Sequence, residues 1–149
     1  MFNNHLKRYL PTQKLIKQAC KYSILGNYKN ISLSILIVDD KESQAYNQLY
    51  RDKNYPTNVI SLEYPTIMED FNNLIGEIIL CDDIIIKEAK EQHKNLISHY
   101  LHMIIHGMLH IQGYDHQNDD DAHIMENLEI DILAKLGYQN PYNYEIVKS

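Results

Sequence analysis

Apolar and polar positions along the chain follow two different periods. The segment ISLSILIV (31–38) alternates apolar and hydroxyl residues before it ends in an apolar run, which is typical of a β-strand. VISL (59–62) and IGEIILC (75–81) are predicted as two further strands. Five helices are predicted between and after them, at about 12–25, 39–51, 82–91, 95–111 and 119–136.

Capping residues mark the ends of several predicted helices. Thr12 can cap the first helix, and Gly26 would end it. Asp39 or Asp40 can cap the second and Asp82 or Asp83 the third. The acidic run Asp119–Asp121 suits the N-terminus of the last helix, which Gly137 would end. The segment 63–73 is polar and without a clear period, and it is predicted to be a mobile excursion.

Helices interleaved with apolar strands predict an α/β fold, a small mixed β-sheet of about four strands with surrounding helices. The length of 149 residues fits a single domain over 1–149. Hydrophobic content of 44% and charged content of 23% are ordinary for a globular protein. No stretch approaches the ~18 consecutive apolar residues of a membrane helix, so no membrane partner is expected.

Charge is unevenly distributed. Residues 1–38 contain six Lys or Arg and no acid, whereas the remainder holds eight basic and twenty acidic residues, which gives the net charge of −6. A transit peptide would also be basic and poor in acids, but this segment runs directly into an apolar strand of the domain. Cys20 and Cys81 lie far apart in no ligand spacing, as expected for buried thiols in a reducing compartment. A cytoplasmic location is predicted.

The stretch HMIIHGMLHIQGYDH (102–116) has the spacing of a metal site. On a helix, His106 and His110 are one turn apart and project from the same face. Gly113 can adopt the left-handed conformation that ends a helix, so the reversed chain can return His116 to that face. His102, one turn upstream, is either a partner of these ligands or a packed helix residue.

Three neutral imidazoles without a thiolate suit one Zn²⁺ ion with an open fourth position, although nickel or another divalent ion is also compatible. Zinc held in this way can lower the pKa of its water to ~7, which favours a hydrolytic site. Metzincin proteases share the spacing H-E-x-x-H-x-x-G-x-x-H, but Gly107 replaces the glutamate that acts as general base. Asp115 is the nearest acid, with two interpretations: it orients a ligand ring, or it caps the turn.

Several blocks of the sequence resemble those of a known family. HGMLHIQGYDH (106–116) is similar to the H-G-x-L-H-L-x-G-Y-D-H signature of the YbeY family of bacterial rRNA-maturation endoribonucleases. YNQLYRDKNYPTNVISL (46–62), IGEIILC (75–81) and LGYQNPY (136–142) resemble further family blocks in the same order. Departures from the pattern are Asp52, Asn54, Leu62 and Ile111, which affect the loop after the arginine but not the ligands.

The resemblance implies zinc bound by His106, His110 and His116, with Arg51 and His106 in catalytic roles. It implies a single-strand-preferring endoribonuclease that acts in 16S rRNA 3′ end processing, ribosome maturation and rRNA quality control. RNA, the ribosomal subunit and ribosomal or assembly proteins would then be its partners. Arg51 suits a phosphodiester because a guanidinium can bind two of its oxygens. The other interpretation pairs Arg51 with a local acid or with the end of its helix.

A basic stripe, Lys14, Lys17 and Lys21, preceded by Lys7 and Arg8, is either an RNA-facing surface or a solvated helix face.

Two alternative functions remain. One is a metzincin-like metalloprotease, in which a glutamate from residues 63–77 (Glu63, Glu69 or Glu77) reaches the metal water. The other is a non-catalytic ribosome-assembly factor with a structural zinc, which would unfold when the metal is removed.

Overall fold

The computed structural model describes residues 2–4, 10–64 and 73–142. Their elements are, in chain order, β1 (Phe2–Asn4), α1 (Gln13–Ser23), β2 (Asn30–Val38), α2 (Asp40–Arg51), β3 (Val59–Glu63), β4 (Asn73–Cys81), α3 (Asp82–Glu91), α4 (Leu96–Ile111) and α5 (Asp119–Lys135). All five predicted helices and all three predicted strands are present. Most of the predicted excursion at 63–73 lies outside the described residues.

The strands form one mixed sheet in the order β1-β2-β4-β3. β2 pairs in parallel with β4, and β3 pairs antiparallel with β4. The predicted mixed α/β class is confirmed. The prediction of about four strands needs correction. The body of the sheet consists of three strands, β2, β3 and β4, and the three-residue segment β1 adds a short fourth one at the β2 edge.

Helices cover both faces of the sheet. Ile35 and Ile37 of β2 point into the main core with α1, α4 and α5, whereas Val38 points into a smaller cluster under Tyr46 of α2. In β4, Ile78 and Ile79 divide between the same two clusters. This alternation follows from the two-residue period of a strand and explains why these strands are apolar on both sides.

Helix α4 occupies the centre of the main core. It contacts α1, α3, α5, β3 and β4, and most of its residues are buried. A helix that is apolar on nearly every side is expected in this position. None of the described helices is long and apolar enough to cross a membrane.

Observed helix ends differ from the predicted ones at the end of α1 and at the start of α3. Helix α1 is capped by Thr12 as predicted but ends at Ser23, before the predicted Gly26. Helix α3 has Cys81 at its N-cap with no side-chain cap, because Asp82 is buried in the first turn and accepts a hydrogen bond from Tyr100. Helix α5 begins with the acidic run Asp119–Asp121 as predicted, and Asn118 caps it.

Candidate metal centre

His106 and His110 project from the C-terminal half of α4 at the edge of the main core. Their ring centroids are 6.4 Å apart and their planes differ by 6°, as expected for side chains one helical turn apart. The His106 side chain is about a quarter exposed, and His110 is exposed. Both rings therefore lie at the surface although the helix that carries them is central.

The turn at Gly113 places His116 beside them. Gly113 has φ +99°, and its N–H and that of Tyr114 donate to the carbonyls of His110 and Leu109. The chain reverses as predicted, and the His116 ring centroid lies 5.5 Å from that of His106. The Gln112 side chain fixes this turn to the end of α1, since it donates to the Ser23 carbonyl and accepts from the Leu25 N–H.

These three histidines line one pocket of about 290 Å³. Arg51, the last residue of α2, lines the same pocket, and the remaining lining residues are Tyr50, Val59, Ser61, Leu62. The pocket lies between β3, the end of α2 and the C-terminal half of α4. The structure therefore brings together every residue that the sequence assigned to the site.

Hydrogen bonds hold the end of α2 and the following loop in place. The Asn47 side chain is buried and donates to the Tyr55 carbonyl at 2.8 Å, and the Ser43 hydroxyl donates to the Thr57 carbonyl at 2.9 Å. Asp52 caps the helix with φ 56°, a left-handed conformation that favours glycine. Arg51 is thus presented from a fixed helix end, and it forms no ion pair with a described residue.

A buried carboxylate lies behind His106. Glu129 of α5 is fully buried, and its Oε2 is 2.7 Å from Nδ1 of His106, while its Oε1 is 2.8 Å from Nε2 of His102. Tyr142 also donates its hydroxyl to Glu129. Burial raises the pKa of this carboxyl, but the hydrogen bonds from His102 and His106 outweigh that effect and lower it to about 2.

This anion determines which nitrogen of His106 is available. A carboxylate can only accept hydrogen bonds, so Nδ1 of His106 must carry the hydrogen. Nε2 then keeps its lone pair, and this is the nitrogen that can bind a metal ion. The same reasoning assigns the hydrogen of His102 to Nε2, so His102 is a buried member of this network and not only a packed residue.

A second buried pair continues along α4. His99 is buried, and its Nε2 is 2.9 Å from a carboxylate oxygen of Glu88. Asn58 donates to both oxygens of Glu88 at 3.2 Å. Burial raises the pKa of Glu88, but its hydrogen bonds with His99 and Asn58 bring it below the usual value. The pair connects α3 with the start of α4, and Asn58, the residue before β3, is linked to it.

The three histidines have the donor atoms that a divalent ion needs, and their rings lie close to the positions that such an ion requires. Three imidazoles at ~2.1 Å in a tetrahedral site would place their ring centroids about 5 Å apart. The observed separations, 5.5 Å between His106 and His116 and 6.4 Å between His106 and His110, are wider by about 0.5 and 1.4 Å, gaps that ring rotations can close. Within residues 10–64 and 73–142, no three His, Cys, Asp or Glu side chains are already close enough to hold an ion.

The acids considered for a protease do not reach this pocket where they are described. Glu63 ends β3 and Glu77 lies within β4, and neither lines the pocket. Glu69 lies outside the described residues. A side chain added at Gly107 would meet Ser61 Oγ at 3.0 Å and Ile78 at 3.2 Å, so this glycine lets α4 approach the sheet closely.

Asp115 lies in the turn before His116, whereas the basic stripe lies on α1, apart from the histidine pocket. The Asp115 carboxylate accepts from the His116 backbone N–H at 2.8 Å, which supports its role in the turn. Lys14, Lys17 and Lys21 line a shallow surface of α1 that shares no residue with the histidine pocket. Lys7 and Arg8 lie outside the described residues.

Sequence reasoning missed Glu129 and Tyr142. A signal for Glu129 was present, because the buried positions of α5 are Met125, Glu129, Ile132 and Leu133, and a charged residue in an apolar stripe needs a buried partner. Tyr142 is the last residue of the family-like block LGYQNPY (136–142), but nothing in its local pattern indicates a contact with Glu129.

Comparisons with known proteins agree with the motifs. The model of the family described as endoribonuclease YbeY matches residues 3–137. The chain is 43% identical to endoribonuclease YbeY of Chromobacterium violaceum over 138 residues, which cover 91% of this chain and 82% of that protein. It is 42% identical to endoribonuclease YbeY of Burkholderia lata, over 92% of this chain and 77% of that protein.

A solved structure has the same fold. The solution structure of TM1509 from Thermotoga maritima matches with a TM-score of 0.55 and 26% identity. The match covers 91% of this chain and 89% of that one.

Proposed function

Because the chain belongs to the endoribonuclease YbeY family, we propose that it is a metal-dependent endoribonuclease that hydrolyses phosphodiester bonds of single-stranded RNA. The proposal includes action in 16S rRNA 3′ end processing, ribosome maturation and rRNA quality control in the cytoplasm. The observation that carries it is the pocket in which Arg51 faces three histidines.

The metal would be held by His106, His110 and His116, with Zn²⁺ as the favoured ion. When bound, such an ion supplies Lewis-acid chemistry, which activates water and polarises a phosphate oxygen. Glu129 keeps the hydrogen of His106 on Nδ1 and so directs Nε2 toward the pocket. No thiolate or carboxylate is among the described lining residues, which preserves the full positive charge for an anionic substrate.

Arg51 would bind the substrate phosphate. A guanidinium matches two non-bridging oxygens and stabilises the negative charge that builds on them during hydrolysis. The hydrogen bonds that fix the loop after α2 limit the movement of the Arg51 backbone, so the guanidinium is delivered to the pocket from a fixed point. The helix end and the loop are therefore positioning elements, and Arg51 is the group that touches substrate.

The two alternative functions are less well supported. A metalloprotease needs a general base at the metal, and the described lining residues contain no acid. A structural zinc would hold the fold together, but the histidines line a surface pocket, whereas the main core is built from apolar residues of several elements without them. We expect the fold to survive removal of the metal.

The proposal is tested by incubating the purified protein with single-stranded rRNA and separately with a generic peptide, each with and without a chelator. We expect RNA cleavage that is lost on chelation, with an unchanged circular dichroism spectrum. His110→Ala should lose the cleavage, whereas the matched variant His123→Ala, at an exposed position of α5, should retain it. Peptide cleavage, or unfolding on chelation without RNA cleavage, would contradict the proposal.

A further inference from the structure

Two stacked tyrosines lie on the last turns of α2. Tyr46 and Tyr50 are one helical turn apart, with ring centroids 6.2 Å apart and planes within 10°. Tyr46 packs against the smaller core cluster, so it is held in place from behind. Tyr50 is 45% exposed, which leaves part of its ring open to solvent. The pair is therefore an aromatic stack with one supported and one accessible member.

The accessible ring lies at the candidate metal centre. Tyr50 lines the same pocket as Arg51 and the three histidines. A partly exposed aromatic ring beside charged and polar lining residues is typical of a binding site.

The geometry matches what an unpaired nucleobase requires. A base stacks on an aromatic face, and such contacts tolerate any sequence because every base has a flat π-face. Tyr46 holds the Tyr50 ring, and the loop after α2 is fixed by Asn47 and Ser43, so stacking on Tyr50 would cost little ordering. Arg51, the next residue, would bind the phosphate attached to the same nucleotide.

We propose that Tyr50 is the platform on which an unpaired base of the substrate stacks next to the phosphodiester bound by Arg51. A base in a duplex is already stacked on both sides and cannot offer a free face, so this contact selects single-stranded over double-stranded RNA. The inference rests on the proposed nuclease function and assigns the residue that gives it strand selectivity. The second possible occupant of this surface, a protein partner, is an outcome of the test below.

The absence of tryptophan from the chain allows a direct measurement. Tyr50→Trp places a single indole on the platform and keeps an aromatic face. We expect its fluorescence to be quenched on mixing with a short oligouridylate, followed by stopped flow before cleavage accumulates. The same oligonucleotide annealed to its complement should quench it several-fold less. The control Tyr22→Trp, at a 38% exposed tyrosine of α1 outside the pocket, should show no change.

Binding of the labelled oligouridylate gives a second measurement by fluorescence anisotropy. Tyr50→Ala should raise the Kd at least about 5-fold, whereas Tyr50→Phe, which keeps the ring, should stay close to the unmodified protein. If Tyr50→Trp still cleaves RNA but its emission does not change at saturating RNA, the stacking role of Tyr50 is wrong and the nuclease function stands. The exposed ring would then be assigned to a protein partner. Failure of the unmodified protein to bind or cleave RNA would overturn both.

Discussion

Glu129→Gln tests how the buried carboxylate controls the candidate metal centre. Glutamine has the same size as glutamate, but one of its two oxygens becomes an NH₂ donor. Glu129 receives hydrogens from His102, His106 and Tyr142, so the new NH₂ must face at least one existing donor. If it faces His106, the hydrogen of that ring must move to Nε2, which blocks the nitrogen that would bind the metal.

The magnitude follows from the same contacts. Loss of one charge-assisted hydrogen bond in a buried site costs about 1.5–3 kcal/mol of unfolding free energy. The lowered pKa of Glu129, about 2, is the net result of burial and of the hydrogen bonds from both histidines, and its direction agrees with a stabilising role for these bonds. Loss of an outer carboxylate typically weakens metal affinity ~10- to 100-fold.

Two assays measure these effects on the same preparation. Urea unfolding of the metal-free protein gives the stability change, and competition with a chromophoric chelator gives the zinc affinity. Asp131→Asn, which neutralises an exposed acid of α5, is the matched control and should change neither quantity appreciably. Zinc affinity and unfolding midpoint equal to those of the unmodified protein would refute the assignment of the His106 hydrogen to Nδ1.

Three further predictions address Arg51, its helix end and the second buried pair. Arg51→Ala should reduce RNA cleavage ~10²- to 10³-fold in single-turnover assays with the zinc stoichiometry unchanged, and Arg51→Lys should recover only part of it; loss of bound zinc would contradict this. Asp52→Gly should raise the unfolding free energy by about 0.5–1 kcal/mol because φ is 56° there, whereas Asp52→Ala should lower it in the same urea experiment. The lowered pKa of Glu88 means that its contribution to stability is present above the unfolded pKa of ~4.3 and is lost as the pH falls through the folded value. Glu88→Gln should therefore flatten the acid limb of the stability–pH curve, and an unchanged limb would contradict the reasoning.

Local sequence signals predicted the elements well where local interactions decide them. Thr12 and Asp39 cap helices through bonds to backbone N–H groups three residues ahead. Gly113 adopts the left-handed turn that its position requires. The third helix is different, because Asp82 resembles a cap in sequence but lies buried against Tyr100, a contact between residues 18 apart in the chain.

The candidate site shows the same difference between local and long-range contacts. The spacing of His106, His110 and His116 lies within one helix and one turn, so it could be read from the sequence. The link from Glu129 to His106 depends on how α5 packs against α4, which no local pattern specifies. The stacking of Tyr50 on Tyr46 follows helical spacing, but its position in the pocket depends on how α2 packs on one face of the sheet.

The central claim is that one metal ion held by the three histidines makes this chain a ribonuclease. Its most direct test is to strip the protein of metal and to follow single-turnover cleavage of a single-stranded RNA while zinc is added back. The account predicts a rate that rises with added zinc and reaches a plateau at one ion per chain, with no rise in His110→Ala. Cleavage at full rate before any zinc is added, or an equal rise in His110→Ala, would contradict it.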